Sequence, residues 1–266
     1  MSLLGLPSEL LLVVADFLVA EGDINPLAQA NRCAYSLLNP YLYRRNSVGS
    51  GSSALLWAAR QGREETARIC ISERANVGVI DGVARTPLSR AAGNGHEGVV
   101  RLMLATGRVD VDSKDLEGRS PLSHAAGNGH EGVVKLLLTT GKVDVDGRDD
   151  LNTTPFSHAA GNGHERVVSL LLTTGIVDIN AEDNFNITPL SEAARNGHEG
   201  VVRLLLATGR VDVHTKNAKG RIPLSRAASR GHEGVVSLLL STGRLDTYWS
   251  RNVVDRCLAL LGGVWK

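Results

Sequence analysis

The chain has 266 residues, and its 29 Lys and Arg residues nearly balance its 28 Asp and Glu residues. Such a balance gives no global field that would favour nucleic acid or an acidic membrane surface, so we expect neither as a partner. The three cysteines, Cys33, Cys70 and Cys257, are odd in number and lack metal-type spacing. This pattern indicates reduced structural thiols in an intracellular protein.

The first residues do not resemble a targeting segment. The apolar run at 10–14 is flanked by Glu9 and Asp16 and has no basic leader, unlike a signal peptide. No uncharged run approaches the 18 or more residues that a membrane span requires. We therefore expect a cytoplasmic or nuclear protein.

Residues 1–46 predict a small helical segment. Residues 6–18 fit one helix with a broad apolar stripe, and Asn25-Pro26 predicts the start of another. The Leu-Pro-x-Glu-Leu-Leu pattern at 6–11, the following Phe-Leu and a closing Leu-Tyr-Arg resemble an F-box. That resemblance implies docking on the Skp-type adaptor of cullin ubiquitin ligases, through these residues: Leu6, Pro7, Leu10, Leu11, Val14 and Leu18. Alternatively, these helices only cap the structure that follows them.

A Gly/Ser-rich stretch at 47–53 predicts a flexible joint. After it, one pattern recurs at intervals of 34 residues, marked by a proline at 87, 121, 155, 189 and 223. A degenerate copy begins at residue 54, where Arg63, Thr66 and Ala67 replace a histidine and two valines. A fixed period of this length predicts stacked structural repeats, about six of them, over residues 54–249.

The first half of each repeat predicts a short helix. Thr86 suits the N-cap, and Pro87 suits the first helical position, where a missing N–H costs nothing. Ala91 and Ala92 are small enough to let neighbouring helices approach closely. Gly95 then supplies the left-handed residue that ends the helix.

The second half predicts a second helix. His96-Glu97 begins it, with the acidic side chain at the positive end of the helix dipole. Val99, Val100, Leu102 and Leu104 form its apolar stripe, and Gly107 ends it. One such unit cannot bury its apolar face alone, so neighbouring units must bury it together.

The repeated Thr-Pro-Leu-Ser-x-Ala resembles the ankyrin signature Thr-Pro-Leu-His-x-Ala, with serine in place of the histidine. The resemblance implies an all-α solenoid of helix–turn–helix units with extended hairpin turns, which acts as a non-enzymatic protein-binding module and is a monomer. An F-box-like segment ahead of such repeats is similar to a fungal-type architecture. Residues 250–266 predict a C-terminal half-repeat that caps the stack.

Residues that break the period are the candidates for partner binding, because the repeated residues serve the fold. One series follows the motif serine on the face that ankyrin arrays use: Arg90, His124, His158, Glu192 and Arg226. A second set places apolar residues at turns that should be wet: Leu116, Leu151, Phe185 and Ile187. Both sets are expected to contact a client protein.

We expect no metal or cofactor. One Gly-His pair per repeat is too widely spaced to share an ion, and matches the family's structural histidine. An enzyme or small-molecule binder remains an alternative only through His124, His158 and Glu192, which are capable of acid–base chemistry. A plain scaffold, whose residues 1–46 only cap the stack, is the other alternative.

Overall fold

The computed structural model describes residues 53–243. The predicted F-box-like segment at 1–46, most of the joint at 47–53 and the predicted C-terminal cap at 250–266 lie outside the described residues. Those three assignments stay predictions.

Residues 53–243 form six successive helix pairs and no strand. The first helices of the pairs are α1 Ser53–Gln61, α3 Pro87–Gly93, α5 Pro121–Gly127, α7 Pro155–Gly161, α9 Pro189–Asn196 and α11 Pro223–Ala228. The second helices are α2 Glu64–Ser72, α4 Glu97–Ala105, α6 Glu131–Leu138, α8 Glu165–Thr173, α10 Glu199–Ala207 and α12 Glu233–Ser241. The all-helical repeat architecture is confirmed. Within this range no helix has the length and apolar character needed to cross a membrane.

The local signals at the helix starts are confirmed. Four first helices begin with the predicted cap: Thr86, Ser120, Thr154 and Thr188. Each cap hydroxyl accepts a hydrogen bond from the backbone N–H three residues later, as from Ser89 to Thr86. The motif serine also bonds to the cap, since Thr86 Oγ1 and Ser89 Oγ lie 3.0 Å apart. The helix α11 lacks this cap because Ile222 precedes it.

The apolar stripe of the second helices differs from the prediction in one position. In α4 the fully buried residues are Val99, Val100 and Met103, whereas Leu102 and Leu104 are only partly buried. Leu102 and Leu104 thus pack against the core as predicted, and Met103 is a fully buried core residue that the prediction left out. Later repeats bury leucine at the Met103 position: Leu137, Leu171, Leu205 and Leu239.

The first described repeat has a smaller core than the others. In α2, Thr66, Ala67 and Cys70 are buried at the positions that hold Val99, Val100 and Met103 one repeat later. Cys70 is a free cysteine, and its burial raises the pKa of the thiol to about 12. It is therefore a neutral packing residue at physiological pH.

First helices of neighbouring repeats pack more closely than second helices do. Paired alanines such as Ala125 and Ala126 of α5 are fully buried and carry no side chain beyond Cβ, which permits the close approach. A stack with one tightly spaced layer curves toward that layer. The first helices and the turns that lead into them consequently line the concave side.

The repeated histidine joins each repeat to the one before it. Nε2 of His130 donates to the carbonyl oxygen of Gly93, in the first helix of the preceding repeat, at 3.0 Å. Equivalent bonds to the preceding repeat are formed by His96, His164, His198 and His232. These bonds satisfy carbonyl groups at helix ends, which would otherwise lack partners.

We expect Gly129→Ala to lower the free energy of unfolding more than Gly141→Ala. Both glycines have positive φ, 76° and 64°, so either alanine strains the backbone by about 1 kcal/mol. A Cβ at residue 129 would also lie 2.5 Å from Nδ1 of His164, while nothing lies within 4 Å of one at residue 141. Urea denaturation of both variants measures the difference, and equal losses would show that the histidine contact contributes nothing.

Candidate partner-binding surface

An aspartate shapes each of the first four turns between repeats. The Oδ1 atom of Asp115 accepts hydrogen bonds from the backbone N–H groups of Glu117 and Arg119, both at 3.0 Å. Asp81, Asp149 and Asp183 accept the same pair of bonds in their turns. Such side-chain bonds replace backbone bonds in a tight turn and fix its shape.

The tips of these turns are joined to one another by backbone hydrogen bonds. The amide of Leu116 donates to the carbonyl of Val83 at 3.2 Å. The same contact recurs in the next three turns, from Asp150 to Glu117, from Asn184 to Leu151 and from Ala218 to Phe185. This ladder holds successive tips in a row.

Apolar side chains lie exposed along that row. Leu116 is 67 % exposed, Leu151 52 % and Phe185 54 %, while Ile187 is half-buried. Val83 is also exposed, at 42 %, and occupies the same turn position as Leu151 and Phe185. Val83 was not among the predicted residues, although aligning the turn sequences on their first residue would have identified it. We call Val83, Leu116, Leu151 and Phe185 the tip row.

Most side chains of the charged series on the first helices bond to the turn aspartate of their own repeat. We call such a pair of side chains a clamp. In the first three turns, the residue nine positions after the turn aspartate bonds to the second carboxylate oxygen of that aspartate. Nε2 of His124 contacts Asp115 Oδ2 at 2.8 Å, and His158 contacts Asp149 Oδ2 at the same distance. Arg90 forms the equivalent ion pair with Asp81.

The Asp115–His124 pair is a charged carboxylate facing a neutral imidazole. Burial acts to raise the pKa of Asp115, but hydrogen bonds from Arg119, Arg85, Glu117 and His124 outweigh it and hold the pKa at about 2. Burial lowers the pKa of His124, against the opposing effect of the carboxylate. The ionised Asp115 can only accept, so Nε2 of His124 carries the proton that is shared in the bond.

The fifth described repeat, which follows the fourth turn, breaks this arrangement. Nine residues after Asp183 comes Glu192, and two carboxylates cannot pair. Glu192 instead accepts from Arg195 at 2.7 Å and from Arg226 of the next repeat at 2.6 Å. Arg226, only 5 % exposed, also donates to Ser191 Oγ at 2.7 Å. The clamp thus changes from a contact within a repeat to a contact between repeats.

Because of these contacts, fewer of the five predicted side chains are exposed for binding a partner than we expected. His124 and Arg226 are buried, so they offer little surface to a partner. Arg90, His158 and Glu192 remain partly exposed, but each is already engaged by an oppositely charged or hydrogen-bonding neighbour.

Two grooves lie beside this series near the C-terminal end of the described repeats. The first, of about 270 Å³, is lined by residues that include Ser157, His158, Asp183 and Glu192. The second, of about 440 Å³, lies between the last two described turns and is lined mainly by cationic side chains. Both volumes fall near the range of small-ligand and peptide pockets.

The possible acid–base trio is brought together only in part, because His158 and Glu192 line the same groove while His124 does not. His124, His158 and Glu192 are each held by a separate partner, as described above. Within residues 53–243, no three His, Cys, Asp or Glu side chains are grouped so that they could hold a metal ion.

Comparison with known families gives one result. A family model described as ankyrin repeats matches residues 26–115, 106–183 and 176–248. The first match begins inside the segment 1–46, whose sequence resembles an F-box. A comparison with curated proteins finds no match.

We expect Asp115→Asn to lower the free energy of unfolding by about 2 kcal/mol at pH 7. Asparagine keeps the accepting oxygen of the turn but loses the charge. Because the folded pKa of Asp115 is depressed, its contribution exists above the unfolded pKa and disappears as pH falls from about 4 to about 2. Urea denaturation at pH 7 and at low pH should therefore show a difference that shrinks with acid.

The control for this prediction is Asp150→Asn, an exposed aspartate one turn later. We expect that change to alter the free energy of unfolding by less than about 0.5 kcal/mol at either pH. A loss in Asp115→Asn that is independent of pH would contradict the electrostatic explanation.

Proposed function

Because this chain belongs to the ankyrin-repeat family, whose repeats form a protein–protein interaction module, we propose that it binds a client protein along its concave side. In this proposal the tip row and the adjoining first helices contact the client. The chain holds its partner and carries out no chemistry of its own.

The tip row carries this proposal. Four apolar side chains stand exposed in four successive turns, and water is an unfavourable environment for such a series. Their backbones are already held by the ladder between tips and by the turn aspartates. A preordered surface loses little conformational entropy on binding, which favours its use for recognition.

The alternative of an enzyme or small-molecule binder has less support. General acid–base chemistry needs groups within hydrogen-bond reach of one substrate, whereas the three candidate side chains serve separate structural contacts.

For residues 1–46 we propose two roles that an experiment can separate. The F-box-like pattern supports docking on a Skp-type adaptor, which would make the protein a substrate receptor of a cullin ubiquitin ligase. The family match from residue 26 onward supports the other role, in which the segment continues and caps the stack.

The client-binding proposal predicts that Leu116→Asp combined with Phe185→Asp weakens client binding at least about tenfold. Each change places a charge where an apolar contact would be buried. Clients are first identified by proximity labelling in cells, and the strongest candidate is then titrated against purified full-length variants by calorimetry.

The matched control is Ile176→Asp, since Ile176 is 66 % exposed but lies after a second helix, outside the tip row. Both proteins should show the same thermal unfolding as the wild type. Equal client affinity in the control and the tip variants would reject the proposed surface.

Adaptor docking predicts that Leu10→Asp combined with Leu11→Asp abolishes co-precipitation of a Skp-type adaptor while client binding persists. A charged residue cannot enter an apolar docking surface without a large desolvation penalty. Adaptor docking would be rejected if the adaptor is recovered equally well without residues 1–46, or is not recovered with the wild type. The capping role would then remain.

A further inference from the structure

The larger groove, between the fourth and fifth turns, is basic. We call it the basic groove; its cationic side chains are Arg195, Lys219, Arg221, Arg226 and Arg230. No carboxylate lines it, although the chain as a whole is nearly neutral. Phe185 and Ile187 add an apolar side to the same groove.

The positive charge arises where the turn pattern changes. The four earlier turns begin with aspartate, but the fifth begins with Asn217. Its Oδ1 atom still accepts the backbone N–H groups of Lys219 and Arg221, at 3.0 and 2.9 Å. The turn therefore keeps its shape while the carboxylate charge is absent, so the charge difference is not a requirement of the fold.

Three of the cations have no counter-charge within the described chain. Arg195 and Arg226 share Glu192, but Lys219, Arg221 and Arg230 are exposed and form no ion pair with residues 53–243.

In earlier turns, the arginines at the position of Arg221 do have a carboxylate partner. Arg85 pairs with Asp115 at 3.0 Å, and Arg119 lies 3.7 Å from Asp149. Arg221 occupies the same turn position, but the residue one period after Asn217 in the sequence is Arg251. Within residues 53–243, no carboxylate neutralises the charge of Arg221.

We propose that the basic groove binds an extended acidic segment of the client, with carboxylates on Lys219, Arg221 and Arg230 and a neighbouring apolar side chain against Phe185 and Ile187. The proposal rests on the proposed function and specifies the chemistry of the partner. Guanidinium groups bind carboxylates through paired, charge-assisted hydrogen bonds, which suits a ligand rich in Asp and Glu.

A peptide fits the groove better than a nucleic acid does. A nucleic-acid backbone would follow a stripe of positive charge across several repeats. Here each of the four earlier turns contains an aspartate, and Arg85 and Arg119 of those turns are paired with Asp115 and Asp149. An apolar ring beside a compact group of cations matches a short acidic segment with one apolar residue.

The test uses full-length protein and a fluorescein-labelled peptide, Gly-Asp-Glu-Glu-Leu-Asp-Glu-Glu-Gly, in a fluorescence anisotropy titration at low salt. We expect saturable binding that weakens as salt rises, because exposed charges are screened. Arg221→Glu combined with Arg230→Glu should weaken binding at least about tenfold, since like charges then face each other.

The matched control is Arg101→Glu combined with Arg203→Glu, the same change of charge at exposed positions on second helices. It should leave peptide binding within about twofold of the wild type, apart from the salt-dependent effect of net charge. Phe185→Ala, or a peptide with Ala in place of Leu, should weaken binding several-fold, and a peptide with Asn and Gln in place of the acids should not bind.

Absence of saturable binding, equal weakening in the control variant, or tighter binding of a nine-nucleotide oligo-dT would overturn the proposal. Client titration separates it from the proposed function. Client binding that is lost in the tip variant but kept in Arg221→Glu/Arg230→Glu would overturn the acidic-segment proposal alone. Client binding kept in both would overturn the proposed surface as well.

Discussion

The structure depends on burial that neighbouring repeats can only achieve together. The valines and leucines of each second helix, and the paired alanines of each first helix, are fully buried only because another repeat covers them. Each histidine after a glycine then donates to a carbonyl of the preceding repeat, which sets the spacing between units. Since the main helix contacts within residues 53–243 join each repeat only to its neighbours, these repeats form an extended, curved array.

Because the repeats are regularly spaced, their turns lie in a row along one edge of the stack, joined by backbone hydrogen bonds. A turn aspartate bonds to two backbone amides with one oxygen and to a first-helix side chain with the other, as Asp115 does with His124. The side chains that first suggest a binding strip are therefore largely occupied in holding the turns in place. The proposed recognition therefore uses positions that these structural contacts leave exposed, which are the tip row and the unpaired cations of the basic groove.

The charge of the turns also changes from the first repeats to the last described ones. In early turns the aspartates pair with arginines of the preceding turn, as Asp115 does with Arg85, so these opposite charges offset each other. The pattern ends at Glu192, which reaches forward to Arg226, and at Asn217, which keeps the turn but removes its charge. An apolar row therefore leads into a basic groove, and a client with an apolar stretch followed by acidic residues would be complementary to both.

The sequence alone determined the parts of this protein that depend on local chemistry. The period of 34 residues, the threonine and proline at the helix starts, and the left-handed glycines such as Gly95 predict the repeats and their boundaries, because a cap or a turn needs only adjacent residues. Only the tertiary structure decided which side chains face a neighbour. Met103 rather than Leu102 is fully buried, His124 is covered, and Glu192 pairs with Arg226, since each outcome depends on what the adjoining turn or repeat places within reach.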